Sequence, residues 1–175
     1  MDPIVTGLHL LTLLVFPVVL IWAAVGDLAA YRIPNRLSLI LAGGFVLAVV
    51  VAGLGWEEIL WRIGAGLALF AVGTLLFSFG GLGGGDVKII AAAAPWIGWA
   101  HMPRFLLVMT LVGGGLSLAL LIARNIKALS QFRSTPVVGN LLSADEGVPY
   151  GVAIAAGGLS VFAKAFNASA LFTVS

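Results

Sequence analysis

The sequence predicts an all-α, polytopic membrane protein with six transmembrane helices and both termini outside, and three observations predict it. Of 175 residues, 61% are hydrophobic and 9% charged, whereas an ordinary soluble domain carries roughly 45–50% and 25%. A soluble fold of this size has too little interior to hide that much apolar surface. The mean hydropathy is +1.16, and the apolar residues gather in stretches near the roughly 20 residues that cross a hydrocarbon core. The basic residues between the stretches divide unevenly between two sides. Six crossings use about 120 residues, which leaves short connections and one integral-membrane domain over residues 1–175.

The elements follow in order. Residues 4–25 are apolar after Met1-Asp2-Pro3; without a basic leader region, and too long for a typical cleaved signal, they read as a retained first span. Pro34 stops the first helix and Asn35 suits the cap of the second, residues 37–54. The third, residues 63–79, follows Trp56, Glu57, Glu58 and Trp61, a group suited to an interfacial belt. Gly80-Gly81-Leu82-Gly83-Gly84-Gly85 places five glycines in six positions, which disfavours helix and predicts a mobile or tightly turned loop. The fourth stretch, residues 87–100, is short: a helix of that length rises about 21 Å against a core of roughly 30 Å. It must extend at its ends, thin the bilayer or be re-entrant, and Pro95 inside it predicts a kink. The fifth and sixth are residues 105–123 and 148–163. Between them lies the longest polar segment, where Arg124, Lys127 and Arg133 read as topology determinants and lipid contacts.

With the first span running inward, Arg32, Arg36, Lys88, Arg124, Lys127 and Arg133 fall inside, against Arg62, Arg104 and Lys164 outside. The excess places both termini outside. Most of the 23 glycines lie in spans and suit close helix packing.

The composition also excludes chemistries. Nine Lys+Arg against seven Asp+Glu give a net charge of +2 without a cluster, so nucleic acid is not an expected partner. No cysteine occurs and the two histidines, His9 and His101, fall toward the outside, so neither a metal site nor a Ser/His/Asp apparatus is expected at the inner face. No cofactor is implied. Of the seven carboxylates, Asp2, Glu57, Glu58, Asp145 and Glu146 read as solvated charges. Asp27 and Asp86 remain, one ending the first span and the other opening the fourth, on one face. An ionisable group at such depth is costly and marks function. Asp27 opposes the dipole of its own helix, at about 0.3–1 kcal/mol, whereas Asp86 suits a first turn. On that argument Asp27 holds a shared proton and Asp86 is ionised. Two acids on one face are the minimum equipment for hydrolysis by an activated water.

The residues around them form motifs. Gly26-Asp27-Leu28-Ala29-Ala30-Tyr31-Arg32-Ile33-Pro34-Asn35 resembles the first signature of type IV prepilin peptidases, an aspartate followed by Ile-Pro-Asn. Gly83-Gly84-Gly85-Asp86-Val87-Lys88 resembles their Gly-x-Gly-Asp motif with a lysine two positions on. The stretch from Val148-Pro149-Tyr150-Gly151 to Gly157 is similar to the family's last membrane segment. The resemblance implies a GxGD-type aspartic endopeptidase of the cytoplasmic membrane, with Asp27 and Asp86 catalytic and Gly83, Gly85, Lys88, Pro34 and Asn35 binding substrate or supporting the site. Its implied partner is a prepilin or pseudopilin, cut at the cytoplasmic face after a glycine that follows a short basic leader. Longer members also methylate the new N-terminus and carry paired Cys-x-x-Cys motifs between spans 1 and 2. Here cysteine is absent and about six residues join those spans, which resembles the short, peptidase-only branch serving Flp/Tad pili. The rival readings are an ion- or proton-coupled transporter, with the glycine run as a broken-helix site, and a non-catalytic pilus-assembly scaffold.

Overall fold

The structure, a computed structural model, describes residues 3–125 and 147–167. These form α1 (Pro3–Ala30), α2 (Asn35–Ala52), α3 (Trp56–Ser78), α4 (Gly84–Asn125) and α5 (Tyr150–Asn167), with no strand among the described residues. Four segments are long and apolar enough to cross a bilayer: Leu11–Ala30, Asn35–Ala52, Trp56–Ser78 and Gly84–Asn125. The described apolar part of α5, Tyr150–Phe162, is shorter. Outward-facing side chains are apolar along every long helix, among them Leu14, Val18, Val46, Leu67, Leu75, Leu111 and Leu118. Helices apolar on both their inner and outer faces suit a lipid solvent.

The fourth helix is two limbs joined by a sharp break. At 42 residues, a straight α4 would run about 63 Å, twice the hydrocarbon core. Instead Gly98 adopts φ 67° and ψ 167°, a combination essentially restricted to glycine. The chain doubles back there: Asp86 and Ser117 line one cavity, although a straight helix would set them about 46 Å apart. The sequence reading put a kink at Pro95 and the break between residues 100 and 105; the break is at Gly98, with Pro95 and Pro103 both inside helical turns. A proline removes one hydrogen bond and bends a helix, but only a residue without Cβ reverses it at these angles.

The first limb of α4, residues 84–97, occupies the centre of the bundle. Val87, Ile89, Ile90, Ala93, Ala94, Trp96 and Ile97 are all buried, packed against Phe16 of α1, Gly44 and Phe45 of α2 and Gly66 and Gly73 of α3, so this short limb does not meet lipid as an ordinary span does. Trp96 anchors it: the ring is 5.6 Å from Phe16 and 5.9 Å from Phe45, and its Nε1 donates to the Leu41 carbonyl at 3.0 Å. Gly44 makes room, since a Cβ there would stand 2.7 Å from Val15 and 3.2 Å from Trp96. The carbonyls that the break at Gly98 leaves without helical partners are met from α3, where Arg62 Nη1 donates to Pro95 and Trp96 at 3.3 and 3.4 Å. Glu58 pairs with the same guanidinium at 2.6 Å. Beside them Trp99 donates to the Trp61 carbonyl at 2.9 Å.

Asp2, Lys127, Arg133, Asp145 and Glu146 lie outside the described residues, as do the side chains of His9 and Lys164.

Candidate active site

At the other end of the first limb, the termini of α1, α2, α3, α4 and α5 meet. Helix α1 continues through Ala30, so Asp27 stands in its last turn. The helix is not stopped by Pro34, as the sequence reading had it. Tyr31 takes φ 50° while its N–H still reaches the Asp27 carbonyl at 2.9 Å, a left-handed exit that costs a non-glycine residue about 1 kcal/mol. Strain of this kind, held beside a cavity, is a mark of sites. The chain then runs extended, and Pro34 (φ −63°, ψ 137°) takes the N-cap position of α2 without a side-chain cap. Asn35, the first residue of α2, does not cap it; its Oδ1 accepts from Lys88 Nζ of α4 at 3.0 Å.

The glycine run divides. Residues 79–83 make a tight turn, with Gly80 at φ 74° and the N–H groups of Gly80 and Gly81 bonded to Phe77 and Leu76 at 2.9 Å each. Gly84 and Gly85 are already helical, contrary to the loop expected through residue 85. Helix is tolerated there because the bare Cα of Gly85 lets residues 31–34 approach: a Cβ would meet the Ile33 carbonyl at 3.3 Å. Asp86 follows as the third residue of α4 and turns back, its Oδ2 accepting the Gly83 N–H at 3.2 Å. This is half of a capping box, in which a first-turn side chain satisfies the N-cap donor.

Asp27 is buried, at 6% exposure, and its Oδ2 accepts the Gly151 N–H of α5 at 2.6 Å. Asp27 keeps its place in the last turn of α1 and Asp86 in the first turn of α4, but the start of α5 now offsets the unfavourable dipole at Asp27. Each carboxyl accepts an N–H at the start of a helix: Asp86 from its own, Asp27 from α5.

The structure brings the expected site residues together. Asp27, Tyr31, Arg32, Ile33, Pro34, Asn35, Gly83, Gly84, Gly85 and Asp86 line an open cleft of about 510 Å³. A second limb of about 480 Å³ shares Asp27, Tyr31, Gly83 and Asp86 and adds Ser117 and Tyr150. Lys88 lies outside both linings and reaches the site through Asn35. Sequence reasoning gave no role to Tyr31, Ser117, Tyr150 or Gly151. For the last two the signal was present in Pro149-Tyr150-Gly151 at the head of an apolar stretch, but the partner across the bundle was not visible. Among the described residues no three His, Cys, Asp or Glu groups converge as a metal site would need.

Fold and site thus define a class: an integral-membrane helical protein in which two carboxyls from separate helices open into one cleft at a shared end of the bundle. The comparisons specify it. A model of the type IV leader peptidase family matches residues 14–118, and the chain belongs to that family. It is similar to the prepilin leader peptidase/N-methyltransferase of Aeromonas hydrophila, 32% identical over 110 residues that cover 57% of this chain and 36% of that protein. The protein of the same name from Aeromonas salmonicida strain A449 is 32% identical over 105 residues, covering 57% and 36%. The chain thus spans about a third of the length of these curated relatives. No solved structure matches.

Proposed function

We propose that the chain is an aspartic endopeptidase of the bacterial cytoplasmic membrane that removes the leader of type IV prepilins or pseudopilins, of Flp/Tad type, at the cytoplasmic face. The observation that carries this reading is the pair Asp27 and Asp86 in one cleft, each with one oxygen held by a backbone N–H. One carboxylate takes a proton from a water whose oxygen attacks the scissile carbonyl carbon, while the other, protonated, donates to the carbonyl oxygen. The tetrahedral diol collapses as its C–N bond breaks and the leaving amine takes a proton from the pair. Two such neighbours titrate as one unit, so the proton belongs to the pair.

The same reading takes the two limbs of α4 as separate crossings, for six spans with termini outside, and places the cleft inside. It gives the chain no N-methyltransferase activity, because four residues, 31–34, join α1 to α2 and no cysteine is present. A transport site lies near the bilayer midplane, whereas this pair sits where helices end, which favours hydrolysis over a transporter.

The test is coexpression with a Flp-type prepilin, reading the leader's loss by mass. Wild type is expected to process it, and Asp27→Asn and Asp86→Asn each to lower cleavage on the order of 10³-fold. Processing by either variant at the wild-type rate overturns the paired-aspartate reading.

A further inference from the structure

Asp27 takes a hydrogen bond from backbone rather than from a side chain. The Gly151 N–H meets its Oδ2 at 2.6 Å in a buried contact. A Cβ on Gly151 would stand 2.9 Å from the Asp27 Cβ, 3.0 Å from Oδ2 and 3.2 Å from Cγ. The Asp27 Cβ is fixed by the backbone of α1, so such a Cβ is admitted only if α5 and α1 part, and turning the carboxyl relieves the Oδ2 and Cγ contacts alone. Two other glycines of α5 are as crowded, but against packing groups: Gly157 against the Phe105 carbonyl at 2.8 Å and Gly158 against the Leu20 side chain.

The start of α5 is also held in register against α4. A Cβ on Gly113 would lie 2.8 Å from the Tyr150 ring, so the tyrosine rests directly on that backbone. Pro149 is fully buried, and Arg124 Nη2 donates to the Gly147 carbonyl at 3.0 Å. Three contacts within five residues fix where the next amide points. The other ionisable groups lining the two limbs of this cleft are Asp86 of α4, Arg32 and Tyr31 of the connection to α2, and Tyr150 of α5 itself.

We propose that Gly151 is a positioning residue: its backbone N–H and its missing side chain together set the orientation of the Asp27 carboxyl in the cleft. The inference rests on the paired-aspartate reading above. It concerns a residue beyond the span 14–118 that the family model matches. It also gives the last helix a part in the chemistry rather than in packing alone.

The experiment uses the purified full chain in lipid nanodiscs and a synthetic peptide made of a basic leader, a glycine and an apolar helix. Gly151→Ala is expected to lower kcat at least about 30-fold, with KM within about threefold, since a misplacement near 1 Å costs about that much or more. Its pH–rate profile is expected to move by about half a unit or more, which lost stability alone does not do. Gly157→Ala, crowded but remote from the cleft, is expected to lower thermal stability and leave the profile of the folded fraction unmoved. If Gly151→Ala does not fold, Gly113→Ala displaces Tyr150 and is expected to show the same kcat loss and profile shift at smaller size. A kcat within threefold of wild type and an unmoved profile, with both Asp→Asn variants inactive, overturns this inference alone. Cleavage by the Asp→Asn variants overturns the reading beneath it instead.

Discussion

The two ends of the first limb of α4 solve the same problem with opposite charges. At the Gly98 end the limb stops and leaves carbonyls, and Arg62 donates to two of them while Glu58 balances the guanidinium. At the Asp86 end the limb starts and leaves N–H groups, and a carboxylate accepts one of them, as Asp27 does for α5. Cations at C-termini and anions at N-termini are what helix dipoles favour. The difference lies in what surrounds them. The buried Trp96 and Gly66 packed against Pro95 fill the Gly98 end, whereas the aspartate end keeps an open cleft of about 510 Å³. Satisfied backbone groups make a stable terminus. The same groups beside open space, holding two acids, make a site.

Substitutions at the two ends are expected to separate activity from stability. The largest effect is the roughly 10³-fold loss for Asp27→Asn and Asp86→Asn, with thermal stability near wild type because Asn still offers an oxygen to each N–H. Next come Arg62→Met, which leaves the Pro95 and Trp96 carbonyls and Glu58 without the guanidinium, and Gly98→Ala, which forces a side chain onto glycine-only angles. Each is expected to cost about 1–3 kcal/mol in thermal or denaturant unfolding. Cleavage per folded molecule should stay within a few-fold of wild type; a selective loss of kcat in Arg62→Met would end the distinction between the two ends.

Smaller effects sharpen the aspartate end. Lys88→Met removes the donor to Asn35 and with it one tie between the start of α2 and α4, at an exposed contact. A rise in KM of about three- to tenfold with little change in kcat is expected, since a cleft wall moves rather than an acid. A fall in kcat alone would instead put Lys88 in proton transfer. The smallest effect is expected of chelation: with two carboxyls and no third ligand converging among the described residues, EDTA and added zinc should each leave cleavage unchanged within twofold. Chelator-sensitive cleavage restored by zinc would contradict the mechanism.

Much of this was legible in the sequence, unevenly. The helix over Asn35–Ala52 agrees closely with the apolar stretch 37–54, because a long run without a charged residue has little else to form in lipid. The third helix starts at Trp56 rather than 63, because Glu57 and Glu58 favour a helix N-terminus by charge although they end an apolar run. Pro34, Asn35, Gly83, Gly85 and both aspartates line one cleft as their motifs imply. Arg62 reads in the sequence as a side marker only; the two carbonyls it meets lie 33 and 34 residues away. Gly151 and Asp27 are 124 residues apart.

By itself the sequence determined what local physics decides: apolar runs that must be helices in lipid, glycines that turn or admit a neighbour, and two acids expensive enough at depth to mark chemistry. Only the tertiary structure decided that α4 reverses at Gly98 rather than at its prolines, that Asn35 meets Lys88 instead of capping its helix, and that Asp27 faces the start of α5. The physical reason is one of range. Side-chain cost and backbone angle preference act within a few residues, but which N–H or carbonyl completes a buried polar group depends on the helix brought beside it, and many helix ends offer the same donors and acceptors.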